Sequence, residues 1–223
     1  AAALASARLI GRGDEKAPVL TNDQLRIYYD RSTGRVESSR ASTSVPFVTP
    51  VSAYSVKEPW LSGDGLSVYY LAKEQEGNSE VLTLAVRERF NAPWEQVELP
   101  RGINGPGHRC YPRLSSDCLA LLFSTHLPTN QNDIWISRRA SVAEPFGSAV
   151  NYGPTVNTGV YEGYAQLLGD NATVVFRRNS EWHFIYQNER GGKTTLPLAG
   201  QPISSEHLWL APDGRTAYFA ANR

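Results

Sequence analysis

Few side chains in this 223-residue sequence are spaced to do chemistry on their own. The four histidines, His108, His126, His183 and His207, show none of the paired spacings that hold a metal, and two cysteines supply no ligand framework. No Gly-x-Ser-x-Gly elbow presents a nucleophile, and His207 follows Glu206 without a recognisable partner serine. Gly102 to Gly107 is glycine-rich but lacks the lysine and helix that let such a loop cradle a phosphate. Away from the repeat leucines, oxygen donors gather in Ser124 to Asp133, where Asn130, Asn132 and Asp133 accompany His126; calcium accepts such oxygens, and the same residue types serve a long hairpin connection. The expectation is a chain with no metal, no cofactor and no catalytic set.

A second group of polar and aromatic residues recurs at fixed offsets. Five residues before Leu20, Leu61, Leu114, Leu167 and Leu210 stand Glu15, Val56, Arg109, Glu162 and Ser205. Three residues before the same leucines stand Ala17, Glu58, Tyr111, Tyr164 and His207. The offsets have meaning only if the leucines are equivalent, and the surrounding sequence makes them so.

Each leucine opens the pattern Leu-x-x-Asp, followed by an alternating run that ends in two large apolar or aromatic residues. The copies are LTNDQLRIYY (20–29), LSGDGLSVYY (61–70), LSSDCLALLF (114–123), LLGDNATVVF (167–176) and LAPDGRTAYF (210–219), with aspartates at Asp23, Asp64, Asp117, Asp170 and Asp213. Their intervals of 41, 53, 53 and 43 residues suit a repeated β-unit with loops of varying length. The aspartate and its successor form a hairpin turn, the carboxylate accepting backbone N–H bonds while Gly or Asn tolerates positive φ. A second signature follows in three copies, where Arg40, Arg87 and Arg139 each precede a proline by six residues, and an aromatic follows at Phe47, Trp94 and Phe146. This reads as a strand end, a proline-fixed turn and an aromatic plug before an outer strand. Glu80 to Arg87 and Asn132 to Arg139 alternate as third strands, and Trp94 to Pro100 supplies a fourth. In the fourth copy a Gly191-Gly192 connection replaces the Arg-to-Pro turn, so that unit is expected to be the smallest.

These units predict an all-β propeller of five blades, each a four-stranded antiparallel sheet, in a single domain over 1–223. The last copy stops near Arg223 before its outer strands, and Leu4 to Ile10 is expected to close the ring as an N-terminal strand; the rival is a longer parent with further blades. Cys110 and Cys118 then lie at opposite ends of one strand, roughly 20 Å apart at about 3.3 Å per residue, and are expected to be free thiols.

Composition narrows the partners. Lys plus Arg and Asp plus Glu both number 22, so no net field recruits nucleic acid or anionic lipid. Apolar runs such as Leu119 to Phe123 are too short to span a membrane. The sequence begins without methionine, and Ala5-Ser6-Ala7 has the small-x-small character of a signal-peptidase site, although no basic region or apolar core precedes it.

The segments LSSDCLALLF and NDIWISRRASVAEPFGSAVNYGPTVNT (114–123 and 132–158) resemble the WD-like propeller repeats related to TolB, found in bacterial surface and signalling proteins. The similarity runs over essentially the whole chain, strongest over 111–158 and weakest over 179–200. It implies a binding platform, a sensor region or a peptidase lid in an extracytoplasmic bacterial protein, and does not fix a function. In such a ring Glu15, Glu58, Arg109, Tyr111, Glu162, Tyr164 and His207 line the mouth of the central channel, able to bind a small polar molecule, a peptide loop or a cation, or simply to solvate it. The leading expectation is a non-catalytic module that binds a protein or a small polar ligand. The alternative is a five-bladed glycoside hydrolase using Glu58, Glu162 and Glu206, for which no motif places a carboxylate pair at the required separation.

Overall fold

A computed structural model describes residues 16–31, 34–44, 47, 51–52, 57–73, 80–90, 92–97, 99, 103–104, 108–126, 132–187, 193–197 and 207–219. Among them there is no helix. Four antiparallel sheets of four strands follow one another along the chain. The first contains β1 (Lys16–Leu20), β2 (Arg26–Arg31), β3 (Gly34–Ser39) and β4 (Val51–Ser52). The second contains β5 (Lys57–Leu61), β6 (Ser67–Lys73), β7 (Glu80–Val86) and β8 (Glu95–Val97). The third contains β9 (His108–Leu114), β10 (Ala120–His126), β11 (Asn132–Arg138) and β12 (Val150–Asn151). The fourth contains β13 (Glu162–Leu167), β14 (Val174–Arg178), β15 (Glu181–Gln187) and β16 (Lys193–Pro197). The fifth repeat is a two-stranded hairpin, β17 (Leu208–Leu210) and β18 (Ala217–Phe219).

The architecture is a β-propeller, with a correction to the expected blade count: four sheets are complete, and the fifth repeat contributes two strands among the described residues. Residues 220–223, which follow β18, lie outside the described residues. The proposed closing strand, Leu4 to Ile10, lies outside the described residues. The fourth unit takes the shortest stretch of chain of the four complete sheets, Glu162 to Pro197, yet, freed of the Arg-to-Pro excursion, β15 and β16 pair continuously from His183–Pro197 to Gln187–Lys193, giving the longest of the outer strands.

Every inner strand ends on its repeat leucine, and the Asp turn that follows is built from hydrogen bonds. Asp23, Asp64 and Asp117 accept through Oδ1 from the backbone N–H two residues on, at 2.9, 2.9 and 3.0 Å. The hydroxyls of Thr21, Ser62 and Ser115 donate to the same carboxylates and accept from the N–H of Arg26, Ser67 and Ala120. The residue after each aspartate has positive φ: Gln24 58°, Gly65 71°, Cys118 62°, Asn171 53° and Gly214 67°. Neither cysteine is in a disulfide; Cys118 lies in this turn and Cys110 in β9.

The turns converge. Asn22 donates its backbone N–H to Gly63 O at 2.8 Å and its side-chain amide to Ser116 O at 3.1 Å, joining repeats one, two and three. Asn171 donates to Asp117 Oδ2 at 2.7 Å, and Gly169 N–H to Pro212 O at 2.8 Å, joining repeats three, four and five. A Cβ on Gly169 would stand 2.8 Å from that carbonyl oxygen, so this approach requires glycine. Between the turns lies a narrow gap lined from all five repeats by residues that include Asn22, Gly63, Ser116, Gln166 and Pro212.

The sheets pack on one another through apolar faces, with Tyr28, Tyr69, Tyr218, Phe123 and Phe176 among the largest fully buried side chains. At three boundaries an arginine packs against this core, Arg40 and Arg87 buried and Arg139 partly exposed. Arg40, Arg87 and Arg139 stack over Phe47, Trp94 and Phe146 at 4.5, 4.4 and 4.5 Å from the ring centroid. Their Nε atoms donate to the carbonyls of Gln24, Gly65 and Cys118, the positive-φ turn residues of their own repeats. Arg87 then reaches Tyr28 Oη of the preceding repeat at 3.2 Å, and Arg40 reaches Tyr218 Oη at 3.1 Å. The fifth hairpin thus contacts the first sheet as the first contacts the second, and on its other side Gln166 brackets Leu210, donating to its carbonyl at 2.6 Å and accepting its N–H at 3.0 Å.

The turn carboxylates set an acid limit. Burial pushes Asp117 and Asp170 up, but hydrogen bonds outweigh it: Ser115, the Leu119 N–H and Asn171 hold Asp117, and Thr173 and the Ala172 N–H hold Asp170, below the ordinary value. A depressed folded-state value stabilises the fold above the unfolded value near ~3.9, and that contribution disappears as pH falls through the folded value. Urea unfolding followed from pH 6 down to 2.5 is expected to show the parent losing stability faster than Asp170→Asn; parallel curves would contradict this assignment.

Candidate functional site

At the end of the inner strands opposite the Asp turns, four of them slip by one residue against their partners at the same repeat position. The shifts fall between Lys16 and Val19, between Lys57 and Trp60, opposite Phe123 in β9, and between Gly163 and Gln166. Such a bulge sets two residues against one and re-aims their side chains. The residues concerned are Ala17-Pro18, Glu58-Pro59, Tyr111-Pro112 and Tyr164-Ala165, three of them with a proline whose missing N–H suits an interrupted ladder. Tyr111 and Tyr164 take φ of 54° and 55°, a left-handed conformation costing a non-glycine residue about 1–2 kcal/mol. Two large side chains are therefore held where glycine would sit without strain.

They are held against each other. Tyr111 and Tyr164 stack with centroids 3.8 Å apart and planes at 28°. His207, from the offset position of the fifth repeat, meets Tyr164 edge-on at 5.5 Å and 77°. Tyr161 and Trp182 close the group at 6.5 and 6.4 Å from Tyr164. Tyr164 is only 4% exposed, while Tyr111, Tyr161 and His207 remain half-buried at the surface of the cluster. Burial, and then the neighbouring Tyr164 and Tyr111 phenols, push the Tyr161 hydroxyl far above the ordinary tyrosine range, so it stays neutral and protonated. Gly163 leaves room for it, since a Cβ there would lie 2.6 Å from the Tyr161 oxygen.

Three of the seven sequence-derived positions, Tyr111, Tyr164 and His207, thus come together. Glu162 is placed otherwise. Its side chain is fully buried: Oε1 pairs with Arg178 Nε at 3.0 Å and accepts from the Thr158 hydroxyl at 2.5 Å, while Oε2 accepts the Thr158 N–H at 3.2 Å. A carboxylate so enclosed meets no substrate, and it ties the loop before β13 to the end of β14. Glu58 and Arg109 belong to β5 and β9, but their side chains lie outside the described residues, as do Glu15 and Glu206 entirely. Half of the oxygen-rich loop, 127–131, also lies outside them; Asp133 at its end accepts from Asn151 at 2.8 Å. Among the described residues no three His, Cys, Asp or Glu side chains gather as metal ligands. The repeat offsets do not mark Tyr161 and Trp182, because neither residue type recurs at its position in the other repeats.

The sequence matches no family model, and no curated protein matches it. Solved structures do. TolB from Acinetobacter baumannii superposes with a TM-score of 0.55 at 16% identity, covering 94% of this chain and 49% of that one. A thermostable family-43 glycoside hydrolase superposes with a TM-score of 0.50 at 13% identity, covering 86% of this chain and 78% of that one. The chain therefore has the propeller fold of TolB and related proteins, and spans about half the length of the Acinetobacter protein.

Removing the buried carboxylate is expected to destabilise the fourth sheet. Glu162→Ala leaves Arg178 without its charge partner and should cost about 3–5 kcal/mol in urea unfolding; a loss below about 1 kcal/mol would contradict the structural role given to this pair.

Proposed function

We propose that this chain is a non-catalytic propeller module that recognises a protein segment or a small polar ligand at the face where the inner strands begin. The observation that carries this proposal is the pair Tyr111 and Tyr164, both held at positive φ in equivalent bulges and stacked at 3.8 Å beside His207. Strained conformations cluster at ligand clamps, and phenol and imidazole groups that remain half-exposed offer both an aromatic surface and hydrogen bonds. The enclosure of Glu162 supports binding rather than hydrolysis, because one of the three carboxylates a glycosidase would need is already committed to Arg178. Glu15, Glu58 and Arg109 belong to the same proposed mouth by their repeat positions. An extracytoplasmic setting, as sensor or scaffold of a larger bacterial protein, completes the proposal and rests on the sequence similarity to TolB-related repeats.

The test compares the parent with Tyr111→Ala/His207→Ala, accepted only if its circular dichroism matches. Both are screened by thermal shift against panels of peptides, amino acids, sugars and nucleotides. At least one compound that stabilises the parent is expected to leave the variant unmoved. If every stabilising compound acts equally on both, the proposed site is wrong.

A further inference from the structure

The stretch that begins at Ser124 plays no part in the binding reading, yet the register of the third sheet gives its residues company that linear spacing hides. His126 in β10 stands directly opposite His108 in β9 and directly opposite Asn132 in β11, so three adjacent strands carry His, His and Asn at one level. Two residues along, Ser124 stands opposite Cys110 and Ile134. Directly opposed residues of antiparallel strands share a face with Cα atoms about 4.5–5.5 Å apart, and residues two apart along a strand share it too. The side chains of His108 and His126 lie outside the described residues, and their place on this face follows from the backbone ladder. The described side chains mark the same face: Asn132, 3% exposed, donates through Nδ2 to Cys110 Sγ at 3.9 Å, and Cys110 Sγ donates to the Ser124 carbonyl at 3.6 Å. One observation is independent of these contacts. Ser124 is fully enclosed, and its Oγ makes no hydrogen bond among the described residues, which is costly for a buried hydroxyl.

Two imidazoles and a thiol on one sheet face are the donors of a borderline-soft divalent ion such as zinc, whereas calcium and magnesium select oxygen. The spacing suits such an ion, since cross-strand and diagonal neighbours lie within about 8 Å of one another and zinc takes its ligands at about 2.0–2.3 Å. We propose that His108, Cys110 and His126 bind one zinc-type divalent ion on this face of the third sheet, with a water in the fourth position that hydrogen-bonds Ser124 Oγ. Binding replaces the Cys110 S–H bond with a bond from sulfur to the metal, and the proton passes to solvent. Asn132 Nδ2 keeps its place as a donor to the resulting thiolate. No electron is transferred and no reaction is assigned; the ion ties together the ends of β9 and β10 where the inner strand begins. The site goes beyond the binding-module reading and does not rest on it.

Cobalt and zinc titration of the full chain, first stripped with a chelator, tests this, because a thiolate ligand gives Co2+ an intense near-ultraviolet charge-transfer band. A single equivalent of Co2+ is expected to produce the band, and a single equivalent of Zn2+ to displace it. The band is expected to vanish in Cys110→Ser and to persist in Cys118→Ser. Zinc affinity is expected to fall about tenfold or more in His108→Ala and in His126→Ala. If a variant fails to fold by circular dichroism, the parent decides alone: zinc is expected to slow alkylation of Cys110 and not of Cys118, read by peptide mass spectrometry. Absence of the cobalt band overturns the proposal. So does a band kept in Cys110→Ser, a zinc affinity unchanged by either histidine substitution, or alkylation of Cys110 at the same rate with and without zinc.

Discussion

An arginine set between neighbouring sheets, buried at Arg40 and Arg87 and partly exposed at Arg139, is the constraint on which this propeller depends. Arg40, Arg87 and Arg139 each close their own repeat by bonding the positive-φ carbonyl of the Asp turn, and each lies over an aromatic plug. A guanidinium has five donors in a fixed fork, so it can bond the turn, the returning loop and a neighbour together. Arg87 does so through Gly65 O, Phe90 O and Tyr28 Oη. Because the charge is inside, leaving any of these bonds unmade is costly, and the spacing and order of the sheets follow from satisfying them.

The tyrosine partner comes from the repeat before. Tyr28 and Tyr218 bond the next repeat's arginine directly, and Tyr69 packs edge-on against Phe146, the plug beneath Arg139, whose charge acts on its phenol. The equivalent residue of the third repeat is Leu122, and the fourth repeat, which would receive it, has no such arginine. That boundary is packed with Leu122, Ile134, Val174 and Phe176 instead. Between the fourth and fifth repeats the Gln166 bracket on Leu210 and the aromatic cluster take over. The proposed binding face thus sits where the repeat pattern is relaxed.

Much of this was legible in the sequence. Leu-x-x-Asp located all five inner strand ends, because a hairpin turn needs a carboxylate and a tolerant φ at fixed positions. The Arg-to-Pro spacing located the arginines, though not their partners: a contact between Arg40 and Tyr218 spans 178 residues and leaves no local trace. Equal offsets brought Tyr111 and Tyr164 together, since equivalent strands bulge at equivalent residues, and set His207 beside Tyr164 from the fifth repeat. They could not reveal that Glu162 is enclosed, because Thr158 and Arg178 approach it from a loop and a neighbouring strand whose geometry no repeat dictates. Nor did they show Asn104 and Asn157 each clamping a third strand, bonding both the N–H and the carbonyl of Leu82 and of Ile134; glycine-rich GINGPG, which contains Asn104, reads from sequence as connection alone.

The equivalence of the five repeats about one axis is tested most directly by two double-mutant cycles, Arg87→Ala with Tyr28→Phe and Arg40→Ala with Tyr218→Phe, read by urea unfolding. If the fifth hairpin meets the first sheet as the first meets the second, both pairs will show coupling of similar size, about 1 kcal/mol. Coupling for Arg87 with Tyr28 but none for Arg40 with Tyr218 would contradict that arrangement.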